Sequence, residues 1–204
     1  MTIIAYIYKI TKGIILYSKQ PFYWLFAYLK FKINKVSFYK DFKSYGIPIL
    51  QVSVKTKIFS IGHLFKMHNK GYNLIGRQQN CIFVTSPNAE LIIGNNVGIS
   101  SIAIVCQDKI TIGDNVYIGG GTVIYDTDFH PLDYEKRISI KDNSAIKTKP
   151  IHIKQNAFIG AHCIILKGVT IGRNSIIGAG SVVTKDIPDN EIWAGNPTKF
   201  IRKI

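Results

Sequence analysis

The chain has 204 residues, 47% of them hydrophobic, which is enough for one packed domain with an appendage. The formal net charge is +14, and residues 1–70, with twelve lysines and one acid, Asp41, carry +11 of it. This concentration argues against a polyanion-binding surface on the rest of the chain. Three cysteines without a pairing pattern predict a reducing compartment and no disulfide framework, so we expect a cytoplasmic protein.

Residues 1–45 form a basic, aromatic-rich segment that we expect to be mainly helical. Its longest uncharged run, Gln20 to Leu29, is about half the length needed to span a bilayer. No small-residue cleavage site follows an apolar core, and no RNA-binding signature appears, so we expect neither a signal peptide nor a nucleic-acid partner. Two interpretations stay open. The helices pack on the protein or across an oligomer interface, or residues 1–40 lie on an anionic membrane with Trp24 at its interface.

Residues 46–190 carry the pattern of a β-solenoid. Residues 47–54 alternate like a strand, and the early part is irregular, as terminal coils of solenoids often are. Over residues 93–124, and again without a break over residues 153–183, an aliphatic residue returns about every six positions. Neither a helix nor an ordinary strand has this period, whereas stacked coils do, because each repeat buries one aliphatic side chain in a shared core. Residues 191–204 form a C-terminal tail.

The period fails once, at residues 125–151, and loops of that length in a regular scaffold usually carry function. His130 lies in this loop, and its neutral imidazole could act as a general base. Asp126 or Asp128 could accept a hydrogen bond from the other imidazole nitrogen and fix the tautomer, and Asp128 is our candidate. An exposed loop histidine and a solvated acidic loop are the alternative interpretations.

Four features together resemble the hexapeptide-repeat acyltransferases. They are the six-residue words, the run Thr127-Asp-Phe-His-Pro-Leu-Asp133, the run Gly178-Ala-Gly-Ser-Val-Val-Thr-Lys-Asp186 and the tetrapeptide Ala194-Gly-Asn-Pro197. Within that family the chain is similar to the maltose and galactoside O-acetyltransferase branch and its polysaccharide-modifying relatives. The resemblance implies an all-β solenoid, a left-handed parallel β-helix with about eighteen residues per turn. It also implies a homotrimer with each active site between neighbouring subunits.

The resemblance further implies roles for individual residues. His130 matches the family's catalytic motif, and a backbone N–H near Gly160-Ala161 would stabilise the oxyanion. Ser101 stands where galactoside-type enzymes have a sugar-contacting asparagine, and Phe158 would form a wall of the pocket. Acetyl-CoA would be the acyl donor. The residues expected to bind coenzyme A are Ala161, Ala179, Thr184, Lys185, Lys199 and Arg202. The last two could equally belong to a solvated basic tail.

On this resemblance we expect an enzyme that transfers an acetyl group from acetyl-CoA to a sugar hydroxyl, in the biosynthesis of a surface polysaccharide. Two alternatives are an N-acetyltransferase acting on an amino-sugar nucleotide and a non-catalytic trimeric scaffold on a membrane. A third is a zinc-dependent hydratase, for which His130, His152 and His162 would be the ligands. Their spacing does not resemble that family's, so we expect no metal.

Overall fold

The computed structural model describes residues 3–69, 76, 79–138 and 145–204. A long helix, α1 (Ile3–Ile33), precedes a series of short strands, and a single-turn helix, α2 (Tyr134–Arg137), lies in the long loop. The strands are β1 (Ser37–Phe38), β2 (Lys43–Tyr45), β3 (Ile49–Val52), β4 (Ile58–Ile61), β5 (Lys66–His68), β6 (Ile82–Thr85), β7 (Glu90–Ile93), β8 (Gly98–Ser100), β9 (Ala103–Cys106), β10 (Lys109–Ile112), β11 (Tyr117–Ile118), β12 (Val123–Tyr125), β13 (Ile151–Ile153), β14 (Phe158–Ile159), β15 (Ile164–Leu166), β16 (Thr170–Ile171), β17 (Ile176–Ile177), β18 (Val182–Val183), β19 (Glu191–Ala194) and β20 (Lys199–Lys203).

The strands form three sheets, and the chain visits them in turn. Sheet A contains β1, β4, β7, β10, β13 and β16; sheet B contains β2, β5, β8, β11, β14, β17, β19 and β20; sheet C contains β3, β6, β9, β12, β15 and β18. Successive strands within a sheet are parallel, and β20 returns antiparallel to β19. The architecture is a left-handed parallel β-helix with a helical N-terminal extension, which confirms the predicted fold class.

The six-residue period arises because one aliphatic side chain per word points inward and stacks on its equivalents in adjacent coils. In sheet C the register aligns Ile104, Ile124, Ile165 and Val183, and all four are fully buried. Full burial of such a side chain is worth about 1.5–3 kcal/mol, so the stack stabilises each coil through its neighbours.

The Gly-Asn-Asn and Gly-Asp-Asn motifs close the edge where sheet A turns into sheet B. The last asparagine of each turn adopts a left-handed backbone conformation, which asparagine tolerates better than most residues. The side-chain amide of each one donates to the next at 2.7–3.1 Å. The residues of this ladder are Asn96, Asn115, Asn156, Asn174 and Asn190. This edge is therefore occupied by structural contacts between coils.

The C-terminal half of α1 packs on the first coil of the solenoid. Ala27 and Phe31 are buried, and Trp24 stacks on Phe42 with ring centroids 5.7 Å apart. An apolar cover of this kind is what the open end of a stack of coils requires. The first coil begins at Ser37, inside the segment expected to be helical. The sequence does not reveal this start, because strands β1 and β2 are too short to leave an alternating pattern. In the described part of the chain, no helix is long and apolar enough to cross a membrane.

Candidate active site

The long loop leaves the solenoid at the edge between sheets C and A, and a short antiparallel ribbon holds its two ends together. The N–H of Asp128 donates to the carbonyl of Lys147 at 3.1 Å, and the N–H of Lys149 donates to the carbonyl of Asp126 at 3.0 Å. Residues 139–144 of this loop lie outside the described residues. The ribbon fixes where the loop starts and ends, and hence where its first residues lie.

Asp126 anchors this ribbon to the preceding coil. Its side chain is fully buried, and its two carboxylate oxygens accept hydrogen bonds from the N–H groups of Gln107 (2.7 Å) and Asp108 (2.8 Å). Burial raises the pKa of the Asp126 carboxyl, and the two N–H donors oppose this rise. Thr127 adds a hydrogen bond from its hydroxyl to Oε1 of Gln107 at 2.8 Å. Asp126 is therefore engaged by the coil below the loop.

His130 is exposed at the end of a tight turn. Its N–H donates to the carbonyl of Asp128 at 2.7 Å. The preceding residue, Phe129, has a φ of 62° and donates its N–H to the hydroxyl of Thr127 at 3.1 Å. Pro131, which follows, is buried. These contacts fix the backbone on both sides of the histidine, so the exposed imidazole is carried by an ordered turn.

The carboxylate of Asp128 lies between the loop and the next coil. Its Oδ1 accepts from Nζ of Lys167 at 2.9 Å, and the Asp128 side chain is 17% exposed. Its Oδ2 is buried and has no hydrogen-bond partner among the residues that the structure describes. Leaving a buried carboxylate oxygen without a hydrogen-bond donor costs free energy. A donor that reached Oδ2 of Asp128 would therefore be stabilising.

Ser101, Ala161 and Ala179 lie on one edge of the solenoid, where sheet B turns into sheet C. Backbone hydrogen bonds link the coils there. The N–H of Gly121 donates to the carbonyl of Ser101 at 3.1 Å, and the N–H of Gly180 donates to the carbonyl of Ala161 at 2.8 Å. Three of the predicted site residues are thus brought together along a continuous edge.

This edge is built for close backbone approach. A methyl group added to Gly160 would lie 2.5 Å from the backbone nitrogen of Ala179, so glycine is required for the two coils to pack. Ser101 has a left-handed φ of 46°, and its side chain is fully buried. Its Oγ has no hydrogen-bond partner among the described residues. The edge therefore combines small side chains with one unpaired hydroxyl.

The other four residues expected to bind coenzyme A lie at the C-terminal end of the solenoid. Thr184 and Lys185 follow β18 and are exposed, and Nζ of Lys185 lies 5.0 Å from the ring centroid of Trp193 on β19. Lys199 and Arg202 are exposed on β20, which pairs with β19. Lys185 therefore contacts the first strand of the β19–β20 hairpin, and the second strand carries Lys199 and Arg202.

A groove of about 270 Å³ on sheet B borders the edge that carries Ser101. Phe158, expected as a pocket wall, lines it together with Lys66, His68, Ser100 and Tyr117. The sequence prediction missed these last four residues. Their signal was the outward-facing alternate position of successive sheet B strands, which becomes visible only when the register of the early coils is known.

The three histidines of the zinc hypothesis are not brought together within the chain. His130 is in the loop between sheets C and A, His162 is on the edge between sheets B and C, and His152 is on sheet A with Nδ1 2.7 Å from the Thr111 hydroxyl. Among the described residues, no group of three His, Cys, Asp or Glu side chains is arranged to hold a metal ion.

Stacked coils built from six-residue words define a hexapeptide-repeat protein. Residues 150–185 match the family model described as bacterial transferase hexapeptide (six repeats). The chain is 32% identical over 166 residues to the galactoside O-acetyltransferase of Lactococcus lactis, covering 78% of this chain and 76% of that protein. The chain therefore belongs to the hexapeptide-repeat transferase family.

Two further comparisons bear on the site. The chain is 45% identical over 104 residues to the galactoside O-acetyltransferase of Escherichia coli, which covers 51% of this chain and 49% of that protein. The chain spans about half the length of curated relatives such as this one. A hexapeptide-repeat acetyltransferase from Vibrio cholerae, VCA0836, solved with acetyl-CoA, has a TM-score of 0.52 and 28% identity, covering 70% of this chain and 69% of that chain.

Proposed function

We propose that the protein is an acetyltransferase that moves the acetyl group of acetyl-CoA to a hydroxyl of a sugar or glycan, with His130 as the general base. The observation that carries this proposal is the exposed imidazole of His130 on an ordered turn, in the one loop that interrupts a hexapeptide-repeat fold. Relatives named galactoside O-acetyltransferase and a solved relative with bound acetyl-CoA support the donor and the acceptor class.

The reaction proceeds through addition and elimination at the thioester carbonyl. Neutral His130 accepts the proton of the acceptor hydroxyl while the oxygen bonds to the carbonyl carbon. Collapse of the tetrahedral intermediate breaks the carbon–sulfur bond, and the imidazolium returns its proton to the coenzyme A thiolate. An exposed imidazole can serve both steps, because one ring nitrogen accepts the proton in the first and gives it up in the second.

Asp128 is the residue we propose to position this imidazole. Its Oδ2 is buried without a donor among the described residues, while Lys167 holds its Oδ1. Rotation of the His130 ring to donate an N–H to Oδ2 would satisfy that atom and leave the other ring nitrogen to accept the substrate proton. Asp126 is a poorer partner, because its carboxylate already accepts two backbone N–H groups.

The edge between sheets B and C supplies the donor site in this proposal. The N–H of Gly160 is occupied by the carbonyl of Ile177 at 2.8 Å, so the N–H of Ala161 is our candidate for the oxyanion. The narrow strip along Ala161 and Ala179 would accept the pantetheine arm. The side chains that would meet the hydroxyl and phosphate groups of coenzyme A are Thr184, Lys185, Lys199 and Arg202.

A second copy of the chain is needed to assemble this site. His130 lies where sheet C turns into sheet A, and Ser101 lies where sheet B turns into sheet C, so the width of sheet C separates them. We therefore propose a homotrimer in which the loop of one subunit reaches the edge and groove of its neighbour. In that arrangement the groove lined by Tyr117 and Phe158 would offer aromatic faces to a sugar ring. Ser101, expected from the sequence to contact the acceptor, is fully buried in its own subunit, so it would support this groove from beneath rather than contact the sugar.

The setting we propose is surface-polysaccharide biosynthesis in the cytoplasm, at the inner face of the membrane. All three cysteines, Cys81, Cys106 and Cys163, are free and buried, which fits a reducing compartment. The excess of lysine over acidic residues in the N-terminal segment favours contact with the anionic lipids of that face.

The test is to incubate the full-length protein with acetyl-CoA and a panel of sugars and glycan precursors while following the release of free thiol. Replacement of His130 by Ala should lower kcat about 10²–10⁴-fold, because the general base is lost. His152→Ala on sheet A is the matched control and should keep full activity. No transfer to any acceptor, together with no binding of coenzyme A, would overturn the proposal.

The same assay separates the alternatives. An N-acetyltransferase should prefer an amino sugar over the matching hydroxyl sugar, and its amide product should survive mild base that cleaves an O-acetyl ester. A non-catalytic scaffold predicts that His130→Ala leaves the biological function intact.

A further inference from the structure

The helix α1 has two apolar sides, and the solenoid covers one of them. Trp24, Ala27 and Phe31 face the first coil. On the opposite side, exposed apolar residues recur at the helical spacing of three or four, between residues 4 and 8 and again from residue 22 to residue 33. We call this second side the outer stripe and define it by Ile4, Tyr8, Phe22, Leu25, Leu29 and Ile33, each at least 44% exposed.

The outer stripe continues onto the solenoid. Ile33, at the end of α1, lines a small groove together with Val54 of the first coil, and Val54 is 90% exposed. Lys55 follows it and is also exposed. This turn, like the outer stripe, presents an apolar side chain next to a lysine. Because Ile33 and Val54 line the same groove, the helix and the turn form one surface.

The charge of this surface identifies its occupant. No acidic residue occurs before Asp41, whereas the helix carries lysines along its whole length. Helical spacing sets Lys19 along one border of the outer stripe and Lys32 along the other, and both are exposed. Apolar side chains flanked by cations fit an anionic lipid surface, where the stripe enters the acyl boundary and the lysines meet the headgroups.

A second copy of this helix is a poorer occupant. Two or three such helices packed along their stripes would bring lysines together, and no acid in the helix is available to pair with them. At 31 residues, α1 is about 46 Å long, with Pro21 inside it. Amphipathic helices of this length are found lying in the plane of a membrane interface.

We propose that the outer stripe of α1, extended by Val54, docks the protein peripherally on an anionic membrane. This inference is independent of the acetyltransferase assignment, since it rests only on the N-terminal region. It makes α1 a two-sided element: one side covers the open end of the β-helix, and the other holds that end against lipid.

The experiment uses the full-length protein with vesicles of phosphatidylcholine alone and of phosphatidylcholine mixed with phosphatidylglycerol. The wild type should sediment with the anionic vesicles and much less with the neutral ones. Added salt should weaken the binding, because it screens the lysine–headgroup attraction. The double variant Leu25→Glu/Leu29→Glu should lose at least about tenfold in vesicle affinity, because it carries charge into the acyl boundary.

The matched control is Leu132→Glu/Ile138→Glu, which makes the same charge change at exposed apolar positions of the loop. It should bind anionic vesicles as the wild type does. Thermal unfolding of both variants checks that each is folded. If the stripe variant is folded and sediments like the wild type, the proposal is wrong.

Three other results would overturn it as well. Binding that is indifferent to salt and to anionic lipid would mean that the lysines of α1 do not select an anionic surface. A wild type that ignores vesicles, with a stripe variant of reduced oligomer mass, would assign the stripe to a subunit interface. Binding to single-stranded RNA without binding to vesicles would assign the charge to nucleic acid.

Discussion

The regular coils of residues 153–183 and the loop at residues 126–150 differ in where they keep their apolar side chains. In the coils the repeat residues, such as Ile159 and Ile165, are fully buried. In the described part of the loop, Leu132 and Ile138 are mostly exposed, and the loop is tied down by polar contacts at its base. The difference implies that the coils contribute most of the free energy of unfolding. The loop contributes little to it and leaves His130 accessible.

The largest effect should come from truncating the stack itself. Ile165 pairs in register with Ile124 and Val183 and is fully buried. Ile165→Ala should lower the free energy of unfolding by about 2–5 kcal/mol, through lost burial and the cavity that remains. Leu132→Ala, which removes a similar side chain from the loop, should change it by no more than about 0.5 kcal/mol. Urea unfolding of the two variants makes the comparison, and equal losses would contradict it.

The fold could be predicted from the sequence because its cause is local and periodic. Each inward aliphatic residue lies six positions from the next, so the words of residues 153–183 reveal the coils without any long-range information. The earliest coils are different. β1 has only two residues, and aromatic side chains such as Phe31 and Phe42 fill the space between α1 and the first coil. That packing leaves no six-residue period in the sequence. The sequence therefore predicts that the solenoid begins at residue 46, whereas its first strand begins at Ser37.

The candidate site could be predicted only in part, for a related reason. His130 stands out because the rhythm fails around it, and small residues such as Ala161 and Ala179 lie in recognisable motifs. Lys66 and Tyr117 come from different coils and meet on sheet B only through the register of the strands. Asp126 shows the converse: it is close to His130 in sequence, yet the fold directs its carboxylate to the coil below.

A smaller loss should follow from weakening the base of the loop. Asp126→Asn keeps the shape but replaces one carboxylate oxygen by an NH₂ group, which would face the N–H of Gln107 or Asp108. We expect a loss of about 1–3 kcal/mol, the cost of leaving a buried donor unpaired. Limited proteolysis should also cut the loop faster in the variant. An unchanged unfolding curve and cleavage rate would mean that Asp126 does not anchor the loop.

The pH dependence of this variant has a definite sign. Burial raises the pKa of Asp126 above its ordinary 3.8, so the folded state binds the proton more tightly than the unfolded chain does. That contribution to stability is greatest below pH 3.8 and declines as the pH rises through the raised folded value. Since asparagine does not titrate, the stability gap between wild type and variant should be widest in acid and narrower at neutral pH.

The smallest effect, of opposite sign, is expected on the regular surface of sheet A. Lys109 and Lys57 hydrogen-bond to Glu90 and lower its pKa from 4.5 to about 2. Its contribution is therefore complete above pH 4.5 and lost as the pH falls through about 2, the reverse of Asp126. Glu90→Gln should flatten the acid limb of the thermal-unfolding profile only slightly, because both lysines are exposed and water screens the pairs. Glu135→Gln on α2 is the matched control. An acid limb that is as steep in Glu90→Gln as in this control would assign the acid sensitivity to other carboxylates, and high salt should reduce the difference if the lysine pairs cause it.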